Sequence, residues 1–126
     1  MAFQYGAVLR NNQVSQIQTS IGATGNLKIF SGAEPANCAA ADPTGLLATI
    51  TLPASFLTST GGVTTIAGTW SATASGTGTA ASFRMYDGSA VCHVQGNMTD
   101  LVLNNTSIAS GQTVTVTSFT VTAGNA

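Results

Sequence analysis

The sequence predicts an all-β protein, an antiparallel two-sheet sandwich of jelly-roll type with one short N-terminal helix. Three observations carry that expectation. Threonine and alanine are the most abundant residues, and β-branched threonine fits a pleated strand better than a helix. Short apolar alternations recur between turn signals about every eight to twelve residues, the spacing of sandwiches and barrels rather than of βαβ units. Three- and four-residue spacing of apolar groups is confined to the start of the chain.

That first segment is read as a helix from Ala7 to Ile21. Arg10, Val14, Ile17 and Ile21 fall on one stripe, and Gly22 follows where a helix cap takes a positive φ. A stripe so narrow is stable only when docked, on the chain's own sheet or on a neighbouring subunit. Leu27 to Phe30 is a strand ended by Ser31-Gly32, and residues 34–45, with Pro35, Pro43 and several alanines, read as a loop. Leu46 to Leu52 is a strand stopped by Pro53. Gly61-Gly62 marks a turn, and Val63 to Ile66 and Thr69 to Thr73 are expected to form a hairpin around Ala67-Gly68. Thr79 to Tyr86 runs into Asp87-Gly88, the strongest hairpin signal in the chain, with Ala90 to Gln95 as the return strand. Leu101 to Leu103 and Ser107 to Ala109 are short strands, and Thr113 to Val121 is the longest. In that last strand Val114 and Val116 have the opposite parity to Phe119 and Val121. A β-bulge near Thr117-Ser118, or cover on both faces, reconciles them.

The division expected is an N-terminal arm and helix over residues 1–22 and a β-sandwich over residues 23–126. Its inner faces are assigned to Leu27, Ile29, Leu47, Ile50, Leu52, Ile66, Trp70, Phe83, Met85, Val91, Val94, Leu101, Leu103, Ile108, Val114, Val116, Phe119 and Val121.

Composition limits the function. The 126 residues include three cations and four carboxylates, 6% of the chain, where a soluble domain has about 25%. Lys28, Arg10 and Arg84 are far apart in sequence, so there is no basic stripe for a phosphate backbone and nucleic acid is excluded as a partner. No apolar run approaches the roughly 18 residues of a membrane span. The start MAFQYGAVLR lacks the basic region, apolar core and cleavage site of a secretory leader, so the chain is expected to be made and used without secretion. With 44% apolar residues, the chain is not of the disordered class. Thr, Ser, Asn and Gln supply its polarity, with the charges scattered and the strand faces neutral.

Catalytic chemistry finds few footholds. General acid–base work requires ionisable groups placed together, and Glu34, Asp42, Asp87, Asp100 and His93 are spread along the chain. Asp87 is explained by its turn. His93 adjoins Cys92, but neighbours on a strand point to opposite faces, so the pair cannot act as thiol and base without a bulge. Residues 87–100 lack the alternating carboxylates of a calcium loop, and Cys38 and Cys92 lack the spacing of a zinc site. No catalytic residue, cofactor site or metal site is assigned. For Cys38 and Cys92 two readings stay open, a pair of reduced core-like thiols and a disulfide closing a long loop. Trp70, Tyr86 and Tyr5 could in principle stack on a sugar, but Trp70 among small alternating residues reads as core.

The segments LRNNQVSQIQTSIGATGNLKIFSG at residues 9–32, PANCAAADPTGLLATITL at 35–52, GTAASFRMYDG at 78–88 and SIASGQTVTVTSFTVTAG at 107–124 together resemble small virion structural proteins of tailed bacteriophages. Within that group they are most similar to head decoration, or cement, proteins. The resemblance implies a jelly-roll or related sandwich and a non-enzymatic protein on the outside of the phage head, assembled in the host cytoplasm. It also implies the major capsid protein and neighbouring copies of the same chain, as dimers or trimers, as partners. The helix stripe Arg10, Val14, Ile17 and Ile21 is the expected capsid or subunit contact. The rival expectations are a tail, neck or fibre-associated virion component and a carbohydrate-binding adhesin module.

Overall fold

The computed structural model describes residues 4–123. Extended Gly6 precedes helix α1 (Ala7–Ile21), and Gly22, with a φ of 76°, ends it by donating its N–H to the Gln18 carbonyl. Among the described residues eleven strands follow: β1 (Asn26–Phe30), β2 (Leu46–Thr51), β3 (Leu57–Thr60), β4 (Val63–Ile66), β5 (Ser71–Thr73), β6 (Gly78–Thr79), β7 (Ser82–Tyr86), β8 (Cys92–Asn97), β9 (Leu101–Leu103), β10 (Ser107–Ile108) and β11 (Thr113–Thr122). The fold is mostly β, with one N-terminal helix and several antiparallel sheets. One sheet has the order β2-β1-β7-β8, β6 and β10 form a small ribbon, and β11 gathers the remaining strands by pairing with β4, β5 and β9 along different stretches.

The helix and most strands lie where the sequence puts them, but pairing departs from expectation in two places. Val63 to Ile66 does not form a hairpin with the strand after it. Its partner is β3, a strand the sequence reading passed over, in register from Leu57 opposite Ile66 to Thr60 opposite Val63. Gly61 and Gly62 both have positive φ, at 60° and 80°, which is the conformation a two-residue hairpin of matching twist requires. The expected partner, now β5, pairs with β11 instead. The second departure is at Asp87-Gly88. The connection is a loop over residues 87–91, in which the Asp87 carboxylate accepts the N–H groups of Ser89 and Val91. Val91 therefore belongs to the turn and is 51% exposed, not core.

One core joins the two larger sheets. Leu27, Ile29, Phe83 and Met85 from one meet Trp70, Val114, Val116 and Phe119 from the other, with Leu47, Ile50, Leu101 and Ile108 in the same cluster. Ile66, Val94 and Val121 pack at its margin, half-buried. Phe56, Leu57 and Ile21 complete it, although the sequence did not assign them to it. An aromatic chain spans the cluster: Phe56 to Trp70 at 5.9 Å, Trp70 to Phe119 at 6.0 Å, and Phe119 edge-on to Phe83 at 5.7 Å. The parity conflict in β11 is resolved by a bulge, since its register against β9 slips between Val116 and Ser118. Val114, Val116 and Phe119 are all buried as a result.

Helix α1 docks on its own chain. Val14 and Ile21 are buried and Ile17 packs against the core, while the Gln18 side chain accepts the N–H of Leu57 at 2.7 Å. Arg10 lies over the β3–β4 turn, where a Cβ on Gly62 would come within 3.0 Å of its side chain.

Trp70 is fully buried, with its indole N–H donating to the Ala67 carbonyl at 3.2 Å. Trp70→Ala is therefore expected to cost about 3–5 kcal/mol in urea unfolding monitored by circular dichroism. A loss under 1 kcal/mol, on the order of a surface change, would show that the aromatic chain is not what holds the sheets together.

Candidate functional site

The polar chemistry of the chain converges on the outer face of β7. All five residues of this strand are buried. Phe83 and Met85 point into the core, so Ser82, Arg84 and Tyr86 occupy the opposite face by strand alternation. That face is covered by the loop joining β1 to β2, the segment rich in proline and alanine. Its base continues the β1–β2 ladder through Ser31 to Gly45 and Gly32 to Thr44. Farther out, Asn37 folds the loop on itself by accepting the N–H groups of Ala39 and Ala40.

Arg84 is the hub. It is 2% exposed, and its guanidinium donates to Asp42 Oδ1 at 2.9 Å, to the Asn37 carbonyl at 3.0 Å and to Gln95 Oε1 at 3.2 Å. Gln95, on the neighbouring strand β8, donates in turn to the Pro35 carbonyl at 2.7 Å. The Tyr86 hydroxyl donates to the same Asp42 oxygen, and Ser82 Oγ donates to the Gly32 carbonyl at 2.7 Å. Lys28 on β1 lies over the Tyr86 ring, 5.1 Å from its centre. The loop is thus held at four points by side chains of β7 and β8.

The electrostatics follow from this packing. The Tyr86 hydroxyl, with help from Arg84 and Lys28, holds the Asp42 carboxyl below its ordinary value against the opposing effect of desolvation. Burial works against the Arg84 charge, but the neighbouring Tyr86 oxygen and the Asp42 carboxylate outweigh it and hold the guanidinium above its ordinary value. Tyr86 is pushed up, by burial first and by Asp42 second, and stays a hydroxyl at neutral pH. A guanidinium engaged with three acceptors and a tyrosine kept protonated make a clamp rather than a reactive pair.

Two further pairs lie beside it. Cys38 in the loop and Cys92 on β8 bring their sulfurs to 2.7 Å. His93 Nε2 is 2.9 Å from Asp87 Oδ2, and this contact is the first cause of the lowered Asp87 carboxyl, ahead of the Val91 N–H. The β7–β8 ladder does slip between Met85 and Tyr86, so Cys92 and His93 are at a bulge. Even so they serve different partners, Cys92 meeting Cys38 and His93 bonding Asp87.

The structure therefore revises the distribution of charge read from sequence. Lys28 and Arg84 are on strand faces, and they meet Asp42 in one cluster. Asp100 is apart from it, capping the N–H of Asn97 at 3.2 Å. The helix stripe expected to touch a partner is spent on the protein's own core at Val14, Ile17 and Ile21. Trp70 and Tyr86 are buried, so neither presents a ring to a sugar. Among the described residues no group of three His, Cys, Asp or Glu side chains could hold a metal ion, and no helix is long and apolar enough to cross a membrane. No family model, curated protein or solved structure matches the chain.

The clamp predicts an asymmetry. Asp42→Ala leaves a buried guanidinium short of its counter-charge and should cost about 2–4 kcal/mol. Arg84→Met leaves a carboxylate that is 47% exposed and can hydrate, so it should cost less, about 1–2 kcal/mol. Equal losses in urea unfolding would refute the clamp. Because the Asp42 carboxyl is depressed in the folded state, its stabilisation is complete above the unfolded value near pH 4 and is lost as pH falls through the folded value. Wild type should therefore lose stability more steeply than Asp42→Asn below about pH 4.

Proposed function

We propose that this is a non-enzymatic virion structural protein, a head decoration or cement protein that binds the outside of a phage capsid and stabilises capsomer contacts. The observation that carries the reading is the disposal of charge. Arg84 is buried against the half-exposed Asp42, and Lys28 lies over the Tyr86 ring. What remains outside is dominated by Thr, Ser, Asn, Gln and Ala. Contact regions are depleted in Lys, Glu and Asp, and a neutral hydrogen-bonding surface packs against neighbours with little desolvation cost. The sandwich of jelly-roll type belongs to the same proposal and is supported by two larger antiparallel sheets sharing one core.

On this reading the partners are the major capsid protein and neighbouring copies of the chain. Because α1 uses its stripe internally, attachment falls to its outward side, where Val8 is 77% and Leu9 49% exposed. A ligand that binds only the mature lattice stabilises it by mass action, and many modest contacts made together slow release.

The paired variant Val8→Asp with Leu9→Asp should keep the wild-type melting temperature and bind expanded shells at least about tenfold more weakly, as expected for losing one or two buried aliphatic contacts. Electron microscopy of the native particle carries the larger risk. Density for the protein at the tail or neck instead of the head surface would overturn the decoration role.

A further inference from the structure

Cys38 and Cys92 are the chain's two cysteines, so neither has a competing partner within the molecule. They are 54 residues apart in sequence, and their sulfurs are 2.7 Å apart in the fold. The residues flanking Cys38 explain the meeting. Pro35 and Asn37 on one side and Asp42 on the other are bound by Gln95, Arg84 and Tyr86. Cys92 stands directly opposite Tyr86 in the β7–β8 ladder. Hydrogen bonds therefore deliver one thiol to the other before any covalent bond exists, and the entropy of closing the loop is already spent in the folded state. Both side chains are only partly buried, which leaves a small oxidant a path to them.

We propose that Cys38 and Cys92 are a latent crosslink, reduced while the chain folds and closed to an intrachain disulfide by a small-molecule disulfide such as oxidised glutathione, locking the β1–β2 loop onto β8. Cys38, on the covering loop, takes the first step, and the Cys92 thiol, raised by burial, resolves it. The Cys38 thiolate attacks one sulfur of the oxidant, forming a mixed disulfide and releasing one glutathione thiolate. Cys92 then gives its proton to solvent and attacks Cys38 Sγ, releasing the second glutathione. Two cysteine thiols are oxidised and one glutathione disulfide is reduced to two thiols. The chemistry stands without the virion reading. If that reading also holds, the chain passes from a reducing cytoplasm to an oxidising exterior, so the bond closes after assembly and stiffens a clamp that is already in place.

The test uses the purified full chain, incubated with oxidised glutathione, then denatured and treated with iodoacetamide. We expect neither cysteine to be alkylated, an intact mass lower by two hydrogens, and a crosslinked peptide pair containing Cys38 and Cys92. We also expect the melting temperature to rise by about 10 °C on oxidation, and Cys38→Ser and Cys92→Ser to lose that rise. Full alkylation of both thiols after oxidation, a stable glutathione adduct on either one, or a bond formed only between two chains would overturn the proposal. The labelling is done on the wild-type chain and so does not depend on whether either variant folds.

Discussion

The burial of β7 on both faces is the constraint from which the rest of the architecture follows. In an antiparallel sheet one face ordinarily meets water. Here Phe83 and Met85 line the core, and Ser82, Arg84 and Tyr86 are covered on the other side. A buried guanidinium is tolerable only when paired and hydrogen-bonded. The loop between β1 and β2 supplies those partners: the Gly32 carbonyl for Ser82, the Asn37 carbonyl and Asp42 for Arg84, and Asp42 again for Tyr86. The loop needs the strand as much as the strand needs the loop. A segment of prolines and alanines has little apolar bulk with which to hold itself down, and these bonds, with the one from Gln95 of β8 to the Pro35 carbonyl, tie it to the sheet.

The same strand reaches the other sheet through Phe83. Its ring meets Phe119 of β11 edge-on, and Phe119 meets Trp70. The β11 bulge is what makes this possible. Without the slip between Val116 and Ser118, Phe119 would face away from the core whenever Val114 and Val116 faced it. One irregularity in a ten-residue strand therefore decides whether the two sheets share an aromatic centre. Helix α1 closes a further edge of this core with Val14 and Ile21, and its Gln18 side chain satisfies a backbone donor of β3. The helix is better described as part of the sheet's cover than as a detachable arm.

How much of this was legible depended on the range over which each signal acts. The helix was readable because its spacing and Gly22 are local, and the parity conflict that the β11 bulge resolves was readable because parity within one strand is local. Strand β3 was missed because Leu57 to Thr60 carries one apolar residue at its start and then only Thr and Ser. The Gly61-Gly62 turn was recognised without the strand before it, so the hairpin was assigned to the wrong pair. Val91 looked like core by composition and belongs to a turn that a second residue, Asp87, widens. The clamp was illegible for a different reason. Asn37, Asp42, Arg84 and Tyr86 are united by contacts 42 to 47 residues long, and nothing in either segment alone marks them as partners. The two thiols are in the same position at a separation of 54, which is why sequence left their pairing open.

Those long-range contacts change what a low charge means. Counted along the chain, three cations and four carboxylates describe a protein with little electrostatic character. Placed in space, Arg84 is buried against Asp42 with Lys28 beside them, so the outer surface carries less free charge than the count implies. A surface of that kind generates little long-range field, and so provides little steering of encounters and little repulsion against wrong neighbours. On the shell reading, orientation must then come from shape and short hydrogen bonds alone, which demands that the faces presented to neighbours hold their form. A loop tied at four points to a doubly buried strand meets that demand, and a loop anchored only at its ends would not.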